Sequence, residues 1–243
     1  MDEDVVRRGV AEFVGTFTLI FIGGAAGIAS GHDIVAVALA NGLAIGIMVT
    51  NLGHISGGHF NPAITLGFVV TKRITVRLAA VYWFVQLLGA VVAALILRSI
   101  FGESSVGTSA APHLAMGVPD SKAILLEAVM TFFLVWAVWA TAVDSRGAFK
   151  AIAGLAIGLT ITMDVFAGGP VTGAAMNPAR AFGPMLAGNS WSGWWIYWVG
   201  PALGALIAAG IYDYLYLRPT KPTVVGTSES GVDEPRPGDA AMS

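Results

Sequence analysis

The sequence predicts an all-α membrane protein: six transmembrane helices plus two half-length re-entrant helices, built as an inverted internal repeat. Three observations carry that prediction. Of 243 residues, 56% are hydrophobic and 12% are charged, about half the charge of a typical soluble domain. Six stretches are long and apolar enough to cross a bilayer, and two shorter apolar pieces are not. The two halves of the chain also repeat each other's motifs.

A helix crossing the ~30 Å hydrocarbon layer needs about 20 mainly apolar residues at ~1.5 Å each. Spans are expected at roughly Gly9–Ile28, Ile34–Leu52, Leu78–Ile100, Ala123–Val143, Ala148–Ala167 and Trp194–Tyr216. The first does not read as a secretory signal, although Arg7-Arg8 precede it and Ala25-Ala26 are small, because signal cores are shorter. The short pieces are Asn61–Val70, after the second span, and Asn177–Ala187, after the fifth. At about 15 Å as helix, neither crosses alone. Entering from opposite faces, the two together make one crossing.

Charge orients the spans. Arg7, Arg8, Lys72, Arg73, Arg77, Arg146, Lys150, Arg218, Lys221 and Arg236 fall on one side of this topology, against Arg98 and Lys122 on the other, with Arg180 inside the second short piece. The positive-inside rule places both termini and the 71–77 and 144–150 loops in the cytoplasm of a cell (plasma or inner) membrane. Residues 1–217 form a single domain, and residues 218–243, rich in Pro, Gly, Ser and Asp, read as a disordered cytoplasmic tail.

The repeats run from about 8 to 100 and about 121 to 217. Glu12 to Leu19 and Glu127 to Leu134 share five of eight residues at an offset of 115. Ser56-Gly57-Gly58-His59-Phe60-Asn61-Pro62-Ala63 returns as Thr172-Gly173-Ala174-Ala175-Met176-Asn177-Pro178-Ala179 at an offset of 116. Each half holds three spans, an odd number, so the second half inserts upside down. Such inverted repeats put the functional site near the midplane, where interrupted helices meet.

Asn-Pro-Ala suits the start of a short helix. Asn is a leading N-cap, its side-chain oxygen accepting a first-turn N–H, and Pro loses nothing at the first helical position. The capped amide then offers two N–H donors to a pore. Each helix start carries a partial positive charge of about half a unit. Asn61, Pro62 and Ala63 with Asn177, Pro178 and Ala179 therefore converge on a point that welcomes water's oxygen and repels protons and cations. The approach segments, Gly57, Gly58, His59, Phe60 and Gly173, Ala174, Ala175, Met176, are mostly small. Non-helical backbone at this depth is tolerated where it lines a cavity, so their carbonyls are expected to line the pore.

Composition excludes other classes. With 15 acidic and 13 basic residues and a net charge of −2, the chain has no footprint for nucleic acid. The absence of cysteine removes disulfides, thiolate nucleophiles and Cys-ligated metals. His32, His54, His59 and His113 lack an HExxH-like spacing. No nucleophile–base pair or phosphate loop stands out, so we expect no enzyme, no metal and no cofactor. An ion-coupled secondary transporter is the rival class, with Glu12 or Glu127 as its intramembrane carboxylate.

Two copies of the tripeptide in matching places of two related halves are specific. From about Arg8 to Tyr216 the chain resembles the aquaporin (major intrinsic protein) family, as a prokaryotic-type water channel. The resemblance rests on the run Gly53 to Ala63 and on Met176-Asn177-Pro178-Ala179-Arg180-Ala181-Phe182-Gly183-Pro184. It implies a right-handed helix bundle, a homotetramer with one pore per subunit, and passive bidirectional flow without chemical turnover. It implies that Glu12 and Glu127 brace the re-entrant loops through backbone hydrogen bonds. It also implies a selectivity filter at Asn41, Val165, Ala174 and Arg180. Arg180 matches the family's filter arginine. A strict water-channel pattern has Phe at 41 and His at 165, whereas Val165 and Ala174 look like the plant vacuolar and nodulin-like branches, and Asn41 is unusual, with no family precedent that fixes its effect.

Glycerol facilitators typically carry Asp after the filter arginine and a basic residue four further on; here those positions are Ala181 and Met185. Tyr197-Trp198 is typical of water channels. Water with exclusion of protons and ions is therefore the expected function, with glycerol, ammonia or another small neutral solute as the alternative cargo. His59 is expected to line or support the cytoplasmic half of the pore, His54 to brace a loop, and Asp164 to be a satisfied helix-end acid. Trp191, Trp194, Trp195 and Trp198 read as an interfacial belt. Gly42–Gly46 and Gly154–Gly158 read as small-residue contacts of any membrane bundle.

Overall fold

Apolar length becomes helix throughout, and local chemistry sets the ends. The computed structural model describes residues 3–146 and 152–218. In chain order the helices are α1 (Glu3–Ala29), α2 (Ile34–Ser56), α3 (Pro62–Val70), α4 (Val76–Phe101), α5 (Asp120–Val138), α6 (Ala153–Thr172), α7 (Pro178–Ala187) and α8 (Ile196–Tyr212). All but α3 and α7 are long and apolar enough to cross a membrane. A helical turn (Glu103–Ser105) and a π turn (Val106–Ala110) join α4 to α5, and α5 and α8 run on into π turns at Trp139–Val143 and Asp213–Leu217. The outward face is lipid-like: Phe84, Leu125 and Leu155 are all more than half exposed.

Caps account for the boundaries. Asp33 Oδ1 accepts from Ala36 N at 2.8 Å to start α2, and Thr75 Oγ1 accepts from Leu78 N at 3.3 Å to start α4. The α1 helix starts before the apolar run, on a polar turn carrying the Arg8–Asp4 pair at 2.7 Å. The fifth span corrects the expected Ala148–Ala167: α6 begins at Ala153 and runs to Thr172, and residues 147–151 lie outside the described residues. Gly168, Gly169 and Pro170 all lie inside the helix. Gly168 admits α5, since a Cβ there would sit 2.2 Å from Met130 Sδ. Pro170 forfeits one N–H in the last turn, and the helix stops at Gly173, whose φ of 81° is left-handed. Of the expected tail, residues 219–243 lie outside the described residues.

Close backbone crossings hold the bundle together. The two small-residue stripes meet each other: a Cβ on Gly158 would lie 2.4 Å from Gly42 O, and one on Gly154 2.4 Å from Gly46 O. Helix α1 crosses α4 at Gly89, and α5 crosses α8 at Gly204, where a Cβ would lie 2.6 Å from Phe13 O and 2.1 Å from Ala128 O respectively. These crossings correspond between repeats, since α1 to α4 match α5 to α8. Each half-helix packs on the last helix of the opposite repeat, α3 on α8 and α7 on α4, so neither repeat closes by itself. Beyond the α5 π turn, three Arg146 donors (two from the guanidinium and the backbone N–H) and the Tyr212 hydroxyl on Asp144 hold its carboxyl well below the usual carboxylate range.

Candidate functional site

Both half-helices begin on an extended asparagine. Asn61 Oδ1 accepts from Ala63 N at 2.8 Å and Asn177 Oδ1 from Ala179 N at 3.0 Å, while Pro62 and Pro178 take the first helical position. Each amide then reaches across. Asn61 Nδ2 donates to Met176 O and Asn177 Nδ2 donates to Phe60 O, both at 2.9 Å. Phe60 and Met176 are the residues just before the two asparagines, so the exchange is reciprocal and the tips meet. This corrects the expectation of two free donors per amide. One N–H satisfies the opposite loop's buried carbonyl, and one remains.

The loops feeding these tips are strained. Phe60, Ala174 and Met176 have φ of 48°, 43° and 52°, a region that costs non-glycine residues about 1–2 kcal/mol each. Two buried carboxylates hold them there. Glu12 Oε1 accepts from His59 N at 2.9 Å and Ser56 Oγ at 2.7 Å, and its Oε2 from Phe60 N at 2.6 Å and Gln86 Nε2 at 2.8 Å. Glu127 Oε1 accepts from Ala175 N at 3.0 Å and Thr172 Oγ1 at 2.7 Å, and its Oε2 from Met176 N at 2.7 Å. Behind them, Tyr82 Oη donates to Ser56 O at 2.6 Å and Tyr197 Oη to Thr172 O at 2.8 Å.

The bracing side chains Ser56, Thr172, Tyr82 and Gln86 escaped the sequence reading. Their signal was present: Ser56/Thr172 and Tyr82/Tyr197 recur at the repeat offsets. Gln86 breaks the symmetry. Its Nε2 also donates to Thr65 Oγ1 at 3.1 Å, and Thr65 Oγ1 lies 3.0 Å from His59 Nδ1; the matching residue of α8 is Pro201. His54, expected as a loop brace, is instead exposed at the inner mouth. Asp164, expected as a satisfied helix-end acid, lies buried in the body of α6, where its Oδ2 meets no hydrogen-bond partner among the described residues.

Asn61 and Asn177 border one narrow lumen together with Asn41, Val165, Ala174 and Arg180. About 20 Å³ of it is open to the centres of water-sized molecules, against roughly 10–15 Å³ for a single water. Its remaining wall is largely aliphatic, from Leu19, Ile45, Ile64, Leu134, Ile157 and Ile161. Beyond Val165 and Arg180 lies an outer vestibule of about 410 Å³ containing His32 and His113. Beyond His59 lies an inner vestibule of about 440 Å³ containing Arg8 and Arg73. The three spaces form a series.

Gly58, His59, Ala175 and Met176 border the lumen, the Met176 carbonyl being taken by Asn61 Nδ2. The other three of the approach segments lie elsewhere. Gly57 opens on the inner vestibule and Gly173 on the outer one. Phe60 is fully buried, its ring filling the space a Cβ on Gly15 would occupy at 2.2 Å, and its carbonyl is taken by Asn177. Asn41 both borders the lumen and bonds to its own helix, Nδ2 donating to Val37 O at 2.8 Å. Arg180 Nη1 donates to Ala110 O at 3.0 Å.

Comparison with known proteins identifies the family and the fold. The family model described as major intrinsic protein matches residues 2–212. A probable aquaporin TIP-type alpha of Phaseolus vulgaris is 43% identical over 230 residues, covering 90% of this chain and 88% of its own. Aquaporin TIP3-2 of Zea mays is 44% identical over 229 residues, covering 89% and 85%. Among solved structures, the aquaglyceroporin from Plasmodium falciparum superposes with a TM-score of 0.79 at 25% identity, over 87% of this chain and 96% of that one. With the match running through both repeats and both asparagine tips, the chain belongs to the major intrinsic protein family.

Proposed function

We propose that this protein is a passive, gradient-driven channel for water that excludes protons and ions and performs no chemical turnover. One observation carries the reading: two oppositely inserted helix starts meet tip to tip at a lumen with only about 20 Å³ open to the centres of water-sized molecules. Each tip contributes a partial positive charge of about half a unit and one free amide N–H. A water there accepts from both amides, so its own hydrogens point away along the file in both directions. A proton relay needs all waters aligned one way, and that alignment is broken at this point. Arg180 adds a full positive charge at the outer end, which opposes cations.

Asn41, Val165, Ala174 and Arg180 are the proposed filter, supported by their shared border on the lumen. Val165 and Ala174 give it an apolar side and favour additional passage of ammonia or another small neutral solute. The small open volume and the buried Ala181 and Met185 behind the filter favour water over glycerol. The charge asymmetry supports a cell-membrane topology with both termini cytoplasmic, and family membership supports a homotetramer. Residues 1–217 make up the channel domain.

Stopped-flow light scattering on proteoliposomes tests this with water, ammonia, glycerol and proton leak measured side by side. Water permeability well above empty vesicles, with proton leak at the empty-vesicle level, is the expected result; Arg180→Val should raise the leak. Absent water flux, or an Arg180→Val channel as proton-tight as the native one, refutes the assignment.

A further inference from the structure

The guanidinium of Arg180 has a single protein acceptor among the described residues, Ala110 O at 3.0 Å. That carbonyl ends the π turn Val106–Ala110, which closes through Ala111 N to Val106 O at 2.9 Å. On its inner sides the turn is wedged by backbone. A Cβ on Gly27 would sit 2.4 Å from Ser109 O, and one on Gly188 2.3 Å from Gly107 Cα. On its open side one side-chain bond crosses to another element: Ser109 Oγ lies 2.9 Å from His32 Nε2. His32 and Ser109 line the outer vestibule alongside Arg180. His32 is itself anchored to α1, its backbone N donating to Gly27 O at 3.1 Å in a left-handed turn with φ of 67°.

We propose that His32 and Ser109 form an outer latch that positions Arg180. The path is short and continuous: the end of α1 carries His32, His32 bonds Ser109, the next residue is Ala110, and the Ala110 carbonyl receives the guanidinium. The bond forms with either partner donating, because a hydroxyl both donates and accepts while each imidazole tautomer offers one of each. Without it, the open side of the turn relaxes toward the vestibule and carries the Ala110 carbonyl with it. The guanidinium follows its acceptor or loses it. The guanidinium borders both the lumen and the outer vestibule, so once released it no longer holds one place at the junction and intrudes on the path between them. His32 and Ser109 are thus positioning residues that act on permeation through Arg180, and the inference rests on Arg180 serving as the filter arginine.

The test is a mutant cycle on reconstituted channels, with water permeability normalised to the number of channels incorporated. Ser109→Ala and His32→Ala should each lower water permeability by at least about two-fold, the scale set by one net hydrogen bond. In an Arg180→Val background the same two substitutions should have no further effect, because the residue they position is gone. Ser109→Thr, which keeps the hydroxyl, should restore most of the loss. Unchanged permeability in both alanine variants overturns the latch. An equal loss in the Arg180→Val background also overturns it, since that is the signature of a role in folding alone. An Arg180→Val channel with native proton tightness sinks the filter assignment itself, a separate failure visible in the proton channel of the same experiment.

Discussion

A carboxylate buried at membrane depth is expensive, and it survives where every lone pair that faces protein has a donor. Glu127 meets that condition with two backbone N–H groups and one hydroxyl. Glu127→Gln keeps the shape and reverses the chemistry at one corner, where an NH2 faces either Met176 N–H or Ala175 N–H. One buried donor is left unsatisfied, at a cost of about 1–3 kcal/mol, and the strained Met176 turn loses its restraint. Thermal unfolding in detergent should show a clear drop in midpoint and water permeability should fall; a variant as stable and conductive as the native chain would remove Glu127 from its bracing role. At this scale the sequence was legible where residues recur in rare combinations, as Asn61, Asn177, Glu12 and Glu127 do. It was opaque where the partner is a main-chain carbonyl, because any residue supplies one. Nothing in the type of Ala110 or Ser56 marks its oxygen as the acceptor for Arg180 or Tyr82.

Helices were legible through apolar length, since the bilayer imposes the same minimum on every span. Their partners were not. A small-residue stripe tells that something approaches closely without telling what, and the matched stripes of α2 and α6 find each other only in three dimensions. That crossing yields a paired expectation. Gly158→Ala places a methyl 2.4 Å from Gly42 O, and overpacking of this kind costs about 1–3 kcal/mol as the helices are forced apart. Gly210→Ala, at an exposed position of α8 with nothing among the described residues within 4 Å of the new Cβ, should be neutral or stabilising by about 0.4–1 kcal/mol. Detergent melting curves for the two variants decide it. Equal behaviour of both would mean that the α2–α6 contact is looser than its backbone distances imply. The misplaced α6 boundary has the same root: Gly168 breaks helices by local propensity and admits a neighbour by tertiary packing, and packing prevailed.

For the whole molecule, the question is whether two inverted repeats rock against each other or stand still. Alternating-access carriers move one repeat relative to the other around a midplane site. Here the midplane is where the repeats are tied: Asn61 to Met176 and Asn177 to Phe60 cross in opposite directions. Each half-helix is also seated on the last helix of the opposite repeat. Rocking would break both cross-repeat hydrogen bonds at once and unpair two amide donors and two carbonyls at membrane depth. A fixed passage of this kind conducts by the gradient alone. Water flux should rise in proportion to the osmotic difference, without saturation, and the slope should be the same for swelling and shrinking vesicles. A flux that saturates at accessible gradients, or one coupled to a proton or sodium gradient, would mean that the tie yields during transport. With no cysteine in the chain, any such yielding would be invisible to thiol reagents. The direction-reversed osmotic ramp therefore discriminates where mercurial block does not.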